Sequence, residues 1–223
     1  MKTIKLLIAT LMALPITACA QSVPGTIVWS AENQPEVLEI FGSPTMIETP
    51  LGSAIHFNGN GDAVSLAGVP ISGMEEFTME AIIRQDGDGA FEERFIHMGN
   101  MGPRVMFETR TKPDKTWYFD AHVNFGNGKS ATLIDPNLTH PTDQWYNVTL
   151  VATKEGLTSY VNGVEQCKDA FSYEAGIIGE GFTSVGVRQN KVNWFKGDIY
   201  KLRFTPKALK PSEFLKDYEK LNK

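Results

Sequence analysis

Cysteine is scarce: this chain of 223 residues has two, Cys19 and Cys167. Cys19 falls in an N-terminal export segment, so Cys167 is left alone and the mature chain has no internal disulfide. Gln166, Lys168 and Asp169 around Cys167 suggest a loop or strand end and supply no histidine partner, which argues a passive thiol rather than a nucleophile. No run of basic residues exists, and a formal net charge of −5 leaves no electrostatic footprint for nucleic acid. The early apolar run, Leu6 to Leu14, is too short to span a membrane. Helical periodicity is rare before the C-terminus, and there is no internal repeat or second domain. A chain of this size still buries an adequate core without disulfides or metals.

What is present is short alternation. Gly, Pro, Asn and Asp punctuate brief apolar/polar runs throughout, the pattern of a sandwich or barrel. The clearest stretch is Trp145 to Gly163. Tyr146, Val148 and Leu150 alternate with Asn147, Thr149 and Val151; Lys154-Glu155-Gly156 supplies a turn; Leu157, Ser159 and Val161 alternate with Thr158, Tyr160 and Asn162. Asn162-Gly163 then turns tightly into the next strand. Ala54-Ile55-His56-Phe57 runs into the turn Asn58-Gly59-Asn60-Gly61-Asp62, and Ala63 to Leu66 returns from it. In Phe77 to Arg84, the residues Phe77, Met79, Ala81 and Ile83 face the core. Further strands are expected at 26–30, 94–98, 104–110, 117–124, 130–134, 183–188 and 197–204, with a short helix from about Pro211 to Leu221. Between Glu32 and Ile47 the patterning is weak, and Pro35 and Pro44 break it into loop and short strand.

The first residues read as a targeting signal. Met1 to Lys5 is a short positive region, followed by the apolar Leu6 to Leu14. Ile16-Thr17-Ala18-Cys19 resembles a bacterial lipobox, in which the cysteine becomes the lipidated first residue. The alternative is an ordinary secretory peptide cleaved near Ala20. The expected organisation is a signal peptide over 1–18, a lipidated tether over 19–25 and one domain over 26–223. Multiple acyl chains on Cys19 would anchor it stably. Ala20 after Cys19, in place of Asp, resembles outer-membrane lipoproteins.

Trp145 to Gly163 resembles the W-(H/Y)-x-V-x-(L/V)-V … G-x-x-x-Y-V-N-G core of LamG-like jelly rolls in the concanavalin A-like lectin/glucanase superfamily. The hairpin after Phe57 is similar to that family's F-(D/N)-G-x-x-D-x-V-x-L, and Phe77 to Ile83 to its F-T-(I/M)-E-A-(W/I)-(V/I) strand. The resemblance spans about Ala54 to Phe214. It implies an all-β fold, a two-sheet antiparallel jelly-roll sandwich with a short C-terminal helix. It says less of function, because the fold hosts lectins, glycosidases, lyases and adhesion modules alike. No cofactor is required. Many relatives hold a structural calcium, for which Asn58 and Asp62 are the candidate ligands. Against it, Tyr200 and Lys201 stand where the last strand of the family often carries two acids, and Asp62 also reads as a turn residue.

Parity selects the side chains that leave the core. These are Glu80 and Arg84; Arg104, Met106, Glu108 and Arg110; and Tyr118, Asp120, His122 and Asn124, with Asn147, Thr149 and Arg188 able to join them. His97 shares a face with Phe95, and which face is buried stays open. The plain reading is a solvated surface with routine cross-strand Glu/Arg pairs. The sharper one is a convergent polar site. The candidate ligand-binding set is Glu80, Glu108, Arg110, Tyr118, Asp120, His122, Arg188 and Trp194. Arg110, Tyr118, Asp120 and His122 are expected in one concavity with Glu80 or Arg188 at its edge. Trp194, in a polar segment, suits either a sugar ring or the sandwich end. Arginine binds carboxylate and sulfate bidentately, so the expected partner is carbohydrate, including acidic polysaccharide.

The E-x-D-x-(x)-E pattern of the jelly-roll glucanases is absent. The expectation is therefore an envelope lipoprotein that binds glycans rather than an enzyme. The alternatives are a glycan-cleaving enzyme, in particular a lyase using Tyr118, His122, Asn124 and Arg110, and a protein-adhesion module.

Overall fold

The computed structural model describes residues 23–34 and 36–223, so the expected signal peptide, Cys19 and most of the expected tether lie outside the described residues. Within these described residues sixteen strands follow in chain order. The first five are β1 (Ile27–Ser30), β2 (Val37–Phe41), β3 (Thr45–Thr49), β4 (Gly52–Asn58) and β5 (Ala63–Ala67). Then come β6 (Phe77–Gln85), β7 (Glu92–Gly99), β8 (Arg104–Thr111), β9 (Thr116–Asn124), β10 (Ser130–Ile134) and β11 (His140–Pro141). The last are β12 (Trp145–Thr153), β13 (Gly156–Val161), β14 (Val164–Asp169), β15 (Phe182–Val185) and β16 (Lys196–Thr205).

They form two antiparallel sheets of eight strands each. Sheet A runs β14-β13-β12-β6-β16-β4-β3, with β1 beside β16; sheet B runs β10-β9-β8-β7-β15-β5-β2, with β11 beside β9. This is the expected all-β, two-sheet jelly-roll sandwich. The parity read from the sequence holds where it decides the core. Phe77, Met79, Ala81 and Ile83 of β6 join Tyr146, Val148 and Leu150 of β12 and Trp117, Phe119, Ala121 and Val123 of β9 in one buried cluster. Trp117 of sheet B meets Tyr146 of sheet A edge-on, with ring centroids 5.3 Å apart. Such edge-to-face pairs add about 0.5–1.5 kcal/mol beyond burial.

Asn162 shows how the Trp145–Gly163 stretch is held. It takes a left-handed φ of 51°, as a tight turn before Gly163 demands. Its Oδ1 accepts the Asn147 N–H at 2.8 Å. Its own N–H donates to Asn147 O at 2.8 Å, tying the turn to β12.

Three local features depart from the sequence reading. The segment from Glu32 to Ile47 contributes two strands, β2 and β3. Both are terminal strands of their sheets, and Leu38, Ile40 and Met46 point outward, which erases the alternation a half-buried strand shows. The C-terminal helix is shorter than expected: a 3-10 turn at Pro211–Glu213 and a helix, α1, at Tyr218–Leu221. Between them Phe214 is extended (ψ 157°) and packs its ring on Tyr160, with centroids 5.2 Å apart. Cys167 lies within β14, half-buried, and is a free thiol.

The third departure is a bulge. Arg94 pairs with Glu108 and Ile96 with Phe107, leaving Phe95 as the extra residue of β7. Phe95 and Ile96 both enter the core. His97 therefore does not share a face with Phe95: the bulge resets parity and puts His97 on the same outer side as Arg94.

The outer face of sheet A is covered over its middle. Ala54, Ile82, Trp145, Tyr200 and Leu221 form a second apolar cluster, with Leu215 and Tyr218 packed against it. Sheet B has no such covering from the C-terminal segment, and its outer face carries the polar cluster.

Candidate functional site

Register aligns the polar residues of sheet B. Across β8 and β9, Met106 lies opposite His122, Glu108 opposite Asp120 and Arg110 opposite Tyr118. On the other side of β8, β7 sets Glu92 opposite Arg110, Arg94 opposite Glu108 and His97 opposite Met106. Thr132 of β10 lies opposite His122. Arg188, just beyond β15, completes the ring. Together Arg94, Arg104, Met106, Glu108 and Arg110, with Asp120, His122, Thr132 and Arg188, line a concavity of about 190 Å³.

One end of it is a closed ionic lattice. Arg110 reaches Glu108 Oε2 at 3.1 Å and, through Nε, Asp120 Oδ2 at 3.1 Å, and it also pairs with Glu92. Arg94 Nη2 bonds Glu92 Oε1 at 3.0 Å and lies 3.1 Å from Glu108 Oε2. Asn193 Nδ2 donates to the second Glu92 oxygen at 2.6 Å. Burial pushes Glu92 up, but Arg110 and Arg94 outweigh it and hold its carboxyl down at about 2. Burial, helped by neighbouring Asp120, pushes Glu108 up to about 7. Asp120 is also raised by burial, against the pull of Arg110. Its Oδ1 is buried and has no hydrogen-bond partner.

The other end is cationic. Among the described residues, no carboxylate pairs with Arg104 or Arg188. Arg104 spends Nη1 on the carbonyls of Met101 at 2.7 Å and Gly102 at 2.9 Å, and turns Nη2 toward His122 Nε2 at 3.5 Å. The Nε atoms of both Arg104 and Arg188 lack partners. His122 and His97 are each lowered to about 4, first by burial; for His122 the nearby Arg104, Arg188 and Arg94 add to it.

Arg110, Asp120, His122, Glu108 and Arg188 thus come together as the parity argument places them. Tyr118 shares their face, directly across from Arg110, without lining the concavity. Trp194 is half-buried in the segment before β16 and lies outside the concavity as well.

Glu80 requires correction. It leaves the core from sheet A, not sheet B, and is fully buried under the C-terminal segment. Leu215 N–H donates to its Oε1 at 2.7 Å and Asn147 Nδ2 at 3.2 Å, while Arg203 pairs with Oε2. Arg84, Asn147 and Thr149 belong to the same face of sheet A and do not reach the concavity. Alternation tells which side of a strand a residue takes, but a sandwich has two outer sides, and alternation does not choose between them.

Glu92 and Arg94 are absent from the candidate set; the strand expected at 94–98 begins at Glu92. A charged pair just ahead of the apolar run Phe95-Ile96 was the available signal, but the bulge that aims Arg94 outward leaves none.

Asn58 and Asp62 do not fit a calcium site. Asp62 Oδ1 accepts the Ser43 N–H at 2.8 Å and its Oδ2 the Asn58 N–H at 3.2 Å, so hydrogen-bond donors stand where a cation would. Asn58 Oδ1 accepts the Asn60 N–H at 2.7 Å in an Asx turn. No group of three or more metal-ligating His, Cys, Asp or Glu side chains exists among the described residues.

Two stacked antiparallel sheets in this order define the concanavalin A-like class of sandwich. Residues 58–214 match Laminin_G_3, of the concanavalin A-like lectin/glucanases superfamily, and the chain belongs to that family. Similar solved structures include domain 4 of AbnA, a GH43 extracellular arabinanase from Geobacillus stearothermophilus, in complex with arabinotriose. That likeness has 17% identity and a TM-score of 0.60, covering 84% of this chain and 85% of that one. The receptor binding domain of botulinum neurotoxin C/D mosaic serotype is similar at 16% identity and a TM-score of 0.62, over 82% of this chain and 46% of that one. A heptameric SAP-like pentraxin from Limulus polyphemus follows at 16% identity and a TM-score of 0.55, over 71% and 77%. At these identities the likeness shows the fold. A comparison with curated proteins finds no match.

Proposed function

We propose that this protein is a glycan-binding module of lectin type, using the outer face of sheet B, exported and held at the bacterial outer membrane by lipid on Cys19. The observation that carries the binding reading is the concavity, where ordered polar groups converge and several remain without protein partners. Such convergence in a cleft is the usual mark of a ligand site. The arabinotriose held by the similar arabinanase domain supports carbohydrate as the ligand class.

Binding is favoured over hydrolysis by the state of the carboxylates. A glycosidase needs one carboxyl free to give a proton and another free to attack or activate water. Here Glu108 and Asp120 are both tied to Arg110.

The test is an array of polysaccharides probed with the full-length protein, read both for retention and for new reducing ends or unsaturated products. Retention without product supports the reading, and failure to retain any glycan overturns it. The anchor is tested separately: a Cys19→Ala protein that still partitions with membranes contradicts lipidation at that residue.

A further inference from the structure

The two ends of the concavity are unequal. Arg94 and Arg110 are neutralised by Glu92, Glu108 and Asp120. Arg104 and Arg188 line the same concavity with no carboxylate to pair with among the described residues. Among the described residues Arg188 makes no side-chain hydrogen bond, and its Nε is buried without a partner. Arg104 has its Nε unpartnered and one Nη2 hydrogen unspent once His122 is served. An arginine fork with open donors is built for a two-oxygen anion. Two such forks side by side repel one another until one arrives: burial, and then the charge of Arg188, lowers the pKa of Arg104.

Across the concavity, Asp120 is 1% exposed and its Oδ1 is a buried acceptor with no donor. A buried carboxylate oxygen left unpaired costs free energy that a ligand hydroxyl would recover. The volume, about 190 Å³, lies below the roughly 300–1,000 Å³ typical of drug-sized ligands, so one sugar ring fits and the rest of a chain runs out over the rim.

We infer that the concavity takes an anionic sugar, its carboxylate or sulfate ester held between Arg104 and Arg188 and a ring hydroxyl donated to Asp120 Oδ1. This rests on the glycan-binding reading and adds to it the charge and orientation of the ligand.

The experiment is a titration of the full-length protein with oligosaccharides of matched backbone in three forms: uronate-bearing, sulfated and neutral. The same series is repeated on Arg188→Gln and Arg104→Gln. The expected result is binding confined to the charged forms, weakened at least tenfold by Arg188→Gln, with the melting temperature of that variant unchanged because Arg188 holds nothing in the fold. Response to the uronate alone assigns a carboxylate, and response to the sulfated form alone assigns a sulfate ester; either supports the arginine clamp. Neutral and charged forms binding alike, or charged forms binding alike to wild type and both variants, overturns the clamp while leaving glycan binding standing. If no oligosaccharide binds in any form, both readings fall.

Discussion

Arg104 Nη2 faces His122 Nε2 at 3.5 Å, a cation turned toward an imidazole nitrogen on the neighbouring strand. A guanidinium only donates, so Nε2 is the bare nitrogen and the ring proton sits on Nδ1, donated to Thr132 Oγ1 at 2.8 Å. With burial and three arginines pressing its pKa to about 4, His122 is neutral throughout the physiological range. Nitrogen-detected NMR should show one Nδ1–H tautomer unchanged from pH 8 down to about 5, then titration near 4. Removing a neighbouring charge with Arg104→Gln should raise that midpoint. A wild-type midpoint near the ordinary histidine value would contradict the arrangement.

Arg110 is the keystone of the ionic lattice, and this reverses a simple expectation. Judged as an exposed arginine, it would be dispensable to folding. In the structure its side chain is only 14% exposed and it holds Glu92, Glu108 and Asp120 together. Arg110→Ala leaves three carboxyls facing one another with Arg94 as the remaining cation of the lattice. The expected loss is on the order of 3 kcal/mol in denaturant unfolding, as for other broken buried pairs. Adding Glu108→Gln should recover part of it, and a fold-neutral Arg110→Ala would refute the network.

Glu93 makes stability depend on pH. Its Oε1 accepts the N–H groups of Ala90 at 3.0 Å and Lys196 at 3.2 Å, and Gln85 donates to its Oε2. Burial nevertheless pushes its pKa from 4.5 to about 8. The folded state then keeps a proton that the unfolded chain releases. That contribution to stability is complete below about 4.5 and is lost as pH rises toward 8. His97 and His122 act oppositely: depressed from 6.5 to about 4, they make stability rise with pH only across that lower window. Between about 6.5 and 8 the histidine contribution fades and the raised carboxyls dominate, Glu108 at about 7 among them. The melting temperature should fall over that range, and more shallowly in Glu93→Gln. An identical slope in the variant would count against a buried neutral Glu93.

Asp62 acts as a bracket between two turns. Removing its carboxylate by Asp62→Ala strands the Ser43 and Asn58 N–H groups and should cost about 1–3 kcal/mol. Added calcium should leave the wild-type melting temperature unchanged. A calcium-dependent rise that Asp62→Ala abolishes would restore the metal reading.

Much of this architecture was legible in the chain because burial in a sandwich follows a two-residue period. The period placed Phe77, Met79, Ala81 and Ile83 inside, and Glu108, Arg110, Asp120 and His122 outside on adjacent strands. It failed wherever the period breaks or carries too little information. Phe95 interrupts it, so Arg94 and His97 end on one side in a way that counting forbids. Glu80 obeys it and still lies on the other sheet, since that depends on strand order rather than on local pattern. The edge strands β2 and β3 hardly show it, because their exposed Leu38, Ile40 and Met46 look like the reverse of a buried stripe.

The C-terminal segment lies across the middle of sheet A, whereas the ionic concavity opens on the outer face of sheet B. On the proposed glycan-binding reading, this concavity offers one shallow contact per chain, and a one-ring contact would hold a sugar only briefly. Lasting attachment to a repetitive polymer would come from many copies crowded on one surface, each rebinding as its neighbours let go. Linked sites of this kind gain avidity of about 10²–10⁴-fold without any new contact within a single chain.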